Sequence, residues 1–210
     1  MSKRIDFLLN GPQRNAKATI VLAHGAGAPM DSPFMNIMAE SLANLKYKVV
    51  RFEFPYMADI RHSGKKKPPN TARILNETWM AVIEDLNPEA LIIGGKSMGG
   101  RVASMVAEES GVAACVCLGY PFHPPGKPEK LRTEHLEKIK TPTLIVQGER
   151  DTFGTRDEVA GYTISKKVKT AWMPDGDHSF KPRKASGLTL EDNLALATRE
   201  VDKFASKLIR

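Results

Sequence analysis

The sequence contains only two cysteines, Cys115 and Cys117, and both lie in the apolar stretch VAACVCLGY. Residues two apart on a strand point to the same face, and a disulfide between such neighbours has unfavourable geometry. No spacing of Cys and His indicates zinc, and nothing suggests an organic cofactor. We therefore expect two reduced, mostly buried thiols, with no disulfide framework, metal or cofactor.

Long hydrophobic runs are also missing from the sequence. The longest uncharged apolar stretches, ATIVLAHGAGAPM and GVAACVCLGYPF, are shorter than the roughly 20 residues that a membrane-spanning helix needs. The initial MSKRIDFLLNGPQRN has only a short apolar segment, and no small-residue cleavage site follows it, so it does not resemble a signal peptide. We expect a cytoplasmic protein without a membrane partner.

Basic residues are in excess, but their distribution does not favour nucleic acid as a partner. The chain has 31 Lys and Arg against 24 Asp and Glu, a net charge of +7. The densest basic run, RHSGKKKPPN, lacks interleaved aromatics that would stack on bases. The surrounding segment, Tyr56 to Asn70 with Arg61, His62 and Lys65 to Lys67, is a candidate for recruiting an anionic substrate or acidic partner. The sequence favours the alternative, a solvated and mobile loop.

Short apolar runs alternate with helical patterns along the 210 residues. The strand candidates are IDFLLN, ATIVLAHG, YKVVRFEFP, ALIIGG, VAACVCLGYP, TPTLIVQGE and KTAWMPD. The helix candidates are Phe34 to Leu45, Arg73 to Leu86, Met98 to Glu109, Thr133 to Ile139, Arg156 to Ser165, and a last helix whose apolar stripe runs from Leu190 to Leu208. Thr189 and Asp192 fit a capping box that begins this last helix. The alternation predicts one α/β domain over residues 1–210, with a mostly parallel sheet of about seven strands and helices on both faces.

In such sheets, ligands bind beyond the carboxyl ends of the strands, and Ser97 lies at one of these ends. It stands in the stretch GGKSMGG, between the predicted strand ALIIGG and a predicted helix. This is the strand–turn–helix context of a nucleophile elbow, in which a sharp turn holds a serine hydroxyl away from the chain. The phosphate-binding patterns G-x-x-x-x-G-K-[ST] and G-x-G-x-x-G are both absent at this position.

Two further residues follow predicted strands and complete a Ser, Asp, His order. Asp151 comes just after TPTLIVQGER, and His178 comes after KTAWMPDGD. The pattern predicts that Ser97 attacks an acyl carbonyl, that His178 accepts and returns the proton, and that Asp151 orients the imidazole. Competing candidates for the acid are Glu149, Asp157, Asp175 and Asp177.

A fourth strand exit, LAHGAGAPM, suits an oxyanion loop because its small residues allow close approach of backbone N–H groups. We predict that Ala26 and Met98 supply the two N–H donors, with Gly27 as the alternative to Ala26. His24 is expected to shape this turn by hydrogen bonding and not to act as the base.

These stretches together resemble the α/β-hydrolase superfamily nearly from end to end. More narrowly, HGAGAPMDSPFM, RFEFPYM, KKKPP, GGKSMGGRVAS and GYPFHPPGKPEKLRTEHL are similar to a little-characterised family of predicted hydrolases. That family includes small bacterial proteins, a testis-expressed protein and the hydrolase-like domain of a chromatin-complex subunit, and its compactness resembles the dienelactone-hydrolase branch. The resemblance implies a serine-hydrolase scaffold, and it implies that some relatives serve as interaction modules.

The interval before the acid leaves no room for a cap domain. The interval that runs from GYPFHPPGKPEK to KIKTPTLIV has only about 20 residues, the length of an ordinary connection with a short helix. We therefore expect an open site that accepts small or protruding esters. Tyr120, Phe122 and His123, in the strand-exit segment YPFHPPG, are predicted to contact the substrate.

Three functions are compatible with these residues. The favoured one is hydrolysis of a small carboxylic ester or thioester through an acyl-enzyme on Ser97. A peptidase or amidase would use the same residues, although an ester leaving group demands less of the general acid. A non-catalytic interaction module would keep the fold, but the presence of Ser97, Asp151 and His178 argues against it.

Overall fold

The computed structural model describes residues 5–87 and 91–208. Within these ranges the strands are β1 (Phe7–Asn10), β2 (Thr19–Ala23), β3 (Lys48–Phe52), β4 (Leu91–Lys96), β5 (Ala114–Leu118), β6 (Thr143–Gly148) and β7 (Val168–Met173). They form one seven-stranded sheet in the order β1-β3-β2-β4-β5-β6-β7. β1 is antiparallel to β3, and the pairs from β3 through β7 are parallel. Each strand predicted from an apolar run is confirmed.

Helices cover both faces of this sheet, as predicted. In the same ranges the α-helices are α1 (Pro33–Asn44), α2 (Pro55–Ser63), α3 (Ala72–Leu86), α4 (Met98–Val106), α5 (Arg156–Ala160) and α6 (Leu190–Ala205). Helices α1 and α6 pack together on one face, whereas α3 and α4 pack together on the other. The seven-stranded, mostly parallel sheet with helices on both faces confirms the predicted fold class, and it fits the α/β-hydrolase fold that the resemblance implies.

Alternation along the strands produces two apolar cores. In β2, Ile20 and Leu22 face the core under α1 and α6, while Val21 and Ala23 face the core under α3 and α4. Because both faces of the central strands are covered, nearly every position in them is apolar. This explains the continuous Val, Ile and Leu runs that mark the strands in the sequence.

The prediction of a mobile loop from Tyr56 to Asn70 is wrong for its first half, which forms α2. Pro55 occupies the first turn, where its missing N–H costs nothing, and Gly64 ends the helix with a left-handed φ of 68°. Tyr56 and Met57 are buried against the core. The basic residues Arg61 and His62 therefore lie in the last turn of a packed helix.

The predictions for α1 and α3 hold to within one residue at each end, whereas α4, α5 and α6 end earlier than predicted. α4 ends at Val106 and α5 ends at Ala160, before Gly161. The predicted helix from Thr133 to Ile139 is a 3-10 turn, Glu134–Glu137. In α6 the predicted capping box is confirmed, since the Thr189 hydroxyl accepts from the Asp192 N–H and the Asp192 carboxylate accepts from the Thr189 N–H.

No cap domain lies between β5 and β6. Residues 119–142, which the structure describes completely, hold the 3-10 turn and otherwise irregular chain. This confirms the compact architecture without a cap. That residues 1–210 form one domain stays a prediction.

The two cysteines agree with the sequence-based expectation. Both thiols are free and buried on β5, with their sulfur atoms 3.9 Å apart on the same face of the strand. The contact with the Cys115 thiol and, after it, burial raise the pKa of the Cys117 thiol well above its usual value. The Cys117 thiol is therefore not poised to react.

Candidate active site

Ser97 lies at the sharp turn between β4 and α4, with φ of 51° and ψ of −117°. This is a strained conformation for a residue with a side chain, and such strain is typical of functional sites. The turn is possible because Gly99 packs directly on β2, where a Cβ atom would lie 2.5 Å from the His24 carbonyl oxygen. Ser97 precedes α4, yet its hydroxyl makes no capping bond to the helix.

The Ser97 hydroxyl instead belongs to a chain of hydrogen bonds across three strand exits. His178 Nε2 lies 2.9 Å from Ser97 Oγ, and His178 Nδ1 lies 2.7 Å from Asp151 Oδ2. Because a carboxylate can only accept, Nδ1 carries the proton and Nε2 is left to accept from the serine hydroxyl. The structure thus brings together the three residues that the sequence predicts.

Asp151 is fully buried and each of its oxygens has a donor. Oδ1 accepts from the Phe153 N–H at 2.9 Å, and Oδ2 accepts from Gln147 Nε2 at 2.9 Å as well as from His178. These bonds hold the carboxylate plane in one orientation.

Gln147 supports Asp151 from within β6 and was not predicted from the sequence. Its Oε1 accepts from the Tyr120 N–H at 2.7 Å, while Nε2 also donates to the Tyr120 carbonyl at 3.1 Å. The side chain therefore ties the end of β5 to the acid. A glutamine inside the apolar run TPTLIVQG was the available signal, since a buried amide requires partners.

His178 is held from two further sides. The Phe153 ring lies against the imidazole, with ring centroids 4.3 Å apart and planes at 33°. Lys96, the residue immediately before Ser97, donates from Nζ to the His178 carbonyl oxygen at 2.6 Å. The side chain of His178 is 24% exposed, so a substrate can reach it.

Lys96 is an unusual buried cation beneath the histidine loop. Its Nζ lies 5.4 Å from the centroid of the Phe34 ring, and the residue is 8% exposed. Burial lowers its pKa from 10.5 to about 8, because removal from water penalises the charged form, and the negative charges of Asp151 and Asp177 only partly oppose this.

This burial predicts a specific pH dependence of stability, tested with Lys96→Met. Between about pH 8 and 10.5 the unfolded chain holds a proton on Lys96 that the folded chain has released, so the wild type gains stability as the pH rises. Relative to Lys96→Met, the gain across this window should be on the order of 3 kcal/mol. The measurement is the free energy of unfolding in urea at pH 7, 9 and 10.5.

The control is Lys65→Met, which removes an exposed lysine. Its unfolding free energy should follow that of the wild type at all three pH values. Parallel curves for wild type and Lys96→Met would contradict the assignment of a lowered Lys96 pKa.

The predicted oxyanion loop, residues 24–27, lies directly against the serine turn. A Cβ atom on Gly25 would lie 3.6 Å from both the Ser97 Cβ and the Lys96 carbonyl oxygen. Within residues 5–87 and 91–208, the backbone N–H groups of Ala26 and Met98 donate to no protein acceptor. Both are therefore free to donate to an oxygen at the serine.

His24 shapes this loop, as the sequence predicts. Its Nε2 accepts from the Phe54 N–H at 3.1 Å, so Nδ1 carries the proton and donates to the Gly25 carbonyl at 2.6 Å. Burial lowers the pKa of the imidazole, which favours this neutral form. The bond fixes the peptide between Gly25 and Ala26, and with it the direction of the Ala26 N–H.

Tyr56, on α2, is a second support that the sequence analysis missed. Its hydroxyl lies 2.8 Å from the Ala26 carbonyl and 3.3 Å from the Gly25 carbonyl. Burial and, to a smaller extent, Glu53 raise its pKa to about 12, so it remains a donor at neutral pH. The hydroxyl thus holds the two peptides that carry the Ala26 and Gly27 N–H groups.

The three residues predicted to contact substrate lie in the interior. Tyr120 and Phe122 are fully buried, and His123 is 2% exposed. Tyr120 donates to the Arg132 carbonyl at 2.8 Å, and His123 Nδ1 lies 2.9 Å from the Pro124 carbonyl. The segment runs beneath the loop of Asp151, because the His123 N–H bonds to the Phe153 carbonyl. Because they are buried, these side chains support the loop of Asp151 and do not form a surface that a substrate could contact.

Three of the four competing carboxylates have other partners, and the fourth is exposed on a helix. Asp175 forms ion pairs with Arg150 and Arg183, and Glu149 pairs with Arg156. Asp177 accepts from the N–H groups of its own turn. Asp157 is exposed at the start of α5.

Neither a metal site nor a membrane-spanning helix is found among residues 5–87 and 91–208. In the described part of the chain, no three His, Cys, Asp or Glu side chains are grouped so that they could hold a metal ion. Among the helices described, none combines the length and apolar character that a membrane crossing requires.

The sheet order, the strained serine and the loop beside it define the class of α/β-hydrolase folds. Comparison with known sequences identifies the family: residues 16–206 match the Alpha/beta hydrolase domain, and the chain belongs to this family. A curated relative is the uncharacterised protein YfhR of Escherichia coli (strain K12), 34% identical over 98 residues. The match covers 43% of this chain and 31% of YfhR, so this chain aligns with about a third of that protein.

Solved structures agree with this fold. A dienelactone hydrolase from Anabaena variabilis superposes with a TM-score of 0.71 and 20% identity, over 98% of this chain and 93% of the other. An α/β serine hydrolase homologue from Coxiella burnetii has a TM-score of 0.70 and 20% identity, over 94% and 91%. XC6422 of Xanthomonas campestris, a serine hydrolase without a lid, has a TM-score of 0.67 and 17% identity, over 95% and 89%. The predicted likeness to compact dienelactone hydrolases is confirmed at the level of fold.

Proposed function

We propose that this protein is a cofactor-independent serine hydrolase that cleaves small carboxylic esters or thioesters through an acyl-enzyme on Ser97. The observation that carries the proposal is the continuous hydrogen-bond chain from Ser97 Oγ through His178 to buried Asp151. This arrangement favours a catalyst over a non-catalytic module, because strain at Ser97 and a buried carboxylate both cost stability.

In the first half of the reaction, Ser97 Oγ attacks the carbonyl carbon and His178 Nε2 takes the hydroxyl proton. Asp151 stabilises the resulting imidazolium through its bond to Nδ1. The oxyanion accepts hydrogen bonds from the N–H groups of Met98 and Ala26, and Met98 lies at the positive end of α4. The tetrahedral intermediate collapses when His178 returns the proton to the leaving alcohol or thiol.

In the second half, water repeats these steps on the acyl-serine. His178 takes a proton from water, hydroxide adds to the carbonyl carbon, and collapse releases the carboxylic acid while Ser97 regains its proton. The partial exposure of His178 and the lack of a cap domain between β5 and β6 support access for small or protruding esters.

The experiment is rapid mixing of the protein with 4-nitrophenyl acetate. A burst of 4-nitrophenolate equal to the enzyme concentration, together with a mass increase of one acetyl group on the intact protein, is expected. A panel of matched thioesters and anilides compares the leaving groups, and faster anilide cleavage would favour an amidase. A folded protein that gives neither a burst nor turnover with any of them would contradict the proposal.

Tyr56→Phe is predicted to reduce kcat for ester hydrolysis by about tenfold, with little change in KM. Loss of a whole oxyanion donor costs about 10² to 10³ in kcat, whereas this change only loosens the peptides that carry the donors, since His24 still holds one of them. Steady-state kinetics checks the effect. Tyr162→Phe is the matched control and should keep full activity, because the Tyr162 ring packs against Phe122 and not against the oxyanion loop. A KM effect alone would assign Tyr56 to ground-state binding.

A further inference from the structure

A cavity of about 580 Å³ lies beside the oxyanion loop, with a volume typical of small-ligand sites. Its lining is Ala26, Gly27, Pro29, Met57, Ile60, Arg61, Lys66 and Lys67. The walls therefore come from the oxyanion loop, from α2 and from the basic run that follows α2. Because Ala26 is the proposed donor to the reacting oxygen, a molecule in this cavity would be continuous with the carbonyl group at Ser97.

The inner wall of the cavity is apolar. Pro29, Met57 and Ile60 contribute carbon surface, and Met57 is anchored in the core with 5% exposure. Such a wall gains free energy when it is covered by an alkyl or aryl group. The cavity is thus suited to an apolar part of a substrate next to the scissile bond.

Three cations line the cavity, and two of them are already neutralised. Arg61 binds the carboxylates of Glu53 and Asp31, with its Nη2 2.7 Å from an oxygen of each. Lys67 pairs with Asp59 at 2.8 Å. These pairs fix the side chains in place and leave them little attraction for a further anion.

Lys66 differs from both. Within residues 5–87 and 91–208 its side chain makes no hydrogen bond and no ion pair, and it is exposed at the cavity. It is thus the lining cation whose charge is free to attract an anion. Lys65, next in the chain, carries the same charge but is not part of the lining.

We propose that the cavity binds a portion of the substrate that is apolar near the scissile carbonyl and ends in an anionic group, such as a carboxylate or phosphate, which pairs with Lys66. This inference rests on the proposed esterase function and names the substrate class of the same site. The anion belongs to either the acyl part or the leaving group, and the test distinguishes these sources.

The experiment compares pairs of esters that differ in one charge. For the acyl side, the 4-nitrophenyl monoester of adipic acid is compared with 4-nitrophenyl hexanoate, whose terminal methyl replaces the carboxylate. For the leaving group, 4-carboxyphenyl hexanoate is compared with 4-acetylphenyl hexanoate. For each pair, the ratio of kcat/KM values is measured in the wild type, Lys66→Gln and the matched control Lys65→Gln, because comparison between variants cancels the intrinsic reactivity of the esters.

For one of the two pairs, Lys66→Gln should lower the anionic-to-neutral ratio about fivefold, the size expected for one partly exposed ion pair. Lys65→Gln should leave the ratio within about twofold. Raising the salt concentration to 1 M, where the Debye length is about 3 Å, should reduce the difference between wild type and Lys66→Gln.

The outcomes separate this inference from the function on which it rests. If the neutral esters are hydrolysed and both ratios are the same in all three proteins, the anion site is overturned and the esterase proposal stands. If no ester is hydrolysed by the folded wild type, the esterase proposal fails and the inference fails with it. An equal fall of the anionic-to-neutral ratio in Lys65→Gln would contradict a specific pair with Lys66 and would indicate general attraction to the basic run.

Discussion

We expect Ser97→Ala to lower kcat for ester hydrolysis by about 10⁴ to 10⁶-fold, the loss seen when a triad nucleophile is removed. The reason is that the hydroxyl is the only group placed 2.9 Å from His178 Nε2 in the described part of the chain. Residual turnover would come from the oxyanion donors and binding alone. The measurement is steady-state hydrolysis of 4-nitrophenyl butyrate by protein purified under conditions that exclude contaminating esterase.

Stability provides the control for Ser97→Ala. Alanine has the same backbone restriction as serine at φ of 51°, and the serine hydroxyl caps no helix, so the urea midpoint should stay close to that of the wild type. Retention of more than about one per cent of kcat in a folded Ser97→Ala protein would assign the nucleophile elsewhere.

Asp151→Asn has the second-largest expected effect, a fall in kcat of about 10⁴-fold. The two carboxylate oxygens of Asp151 accept hydrogen bonds from Phe153, Gln147 and His178. Asparagine has only one oxygen that can accept, so it cannot keep all three bonds. If its NH₂ group faces His178, Nδ1 must become the acceptor, and the proton moves to Nε2. An Nε2–H cannot take the proton of Ser97, so attack fails even though the geometry is kept.

Asp157→Asn is the matched control, because Asp157 was a competing acid and lies exposed on α5. It should keep kcat within about twofold of the wild type. A large loss in Asp157→Asn with normal activity in Asp151→Asn would reverse the assignment.

The strand exits explain why so much of the site could be predicted. Parallel strands β2, β4, β6 and β7 end at one edge of the sheet, so residues that directly follow apolar runs must meet there. Ser97, Asp151 and His178 each follow such a run, and their meeting needs no knowledge of side-chain packing.

Side-chain direction could not be obtained in the same way. Tyr120 and Phe122 also follow a strand, but their rings turn inward and pack at 4.8 Å against each other in the core. Lys96 lies at the end of a buried strand, and only the fold reveals that its Nζ reaches the His178 carbonyl. A position directly after a strand predicts that the residue lies at the carboxyl edge of the sheet. The contacts of its side chain depend on the neighbouring loops.

Helix α2 was not predicted from the sequence, for a different reason. The sequence YMADIRHS has a weak apolar pattern, and a long basic run obscures it, although Pro55 and Gly64 mark its ends. The missed helix matters for function, because it carries Tyr56 beneath the oxyanion loop and Met57 and Ile60 along the cavity.

The most direct measurement is fluorophosphonate labelling of the wild type, Ser97→Ala and His178→Ala, followed by mapping of the modified peptide. An activated serine predicts stoichiometric labelling of the wild type on Ser97 and none in either variant, since the probe reacts only with a hydroxyl whose proton is removed by a base. Absence of labelling in folded wild type, or labelling that persists in His178→Ala, would contradict the account of Ser97 as a nucleophile activated by His178.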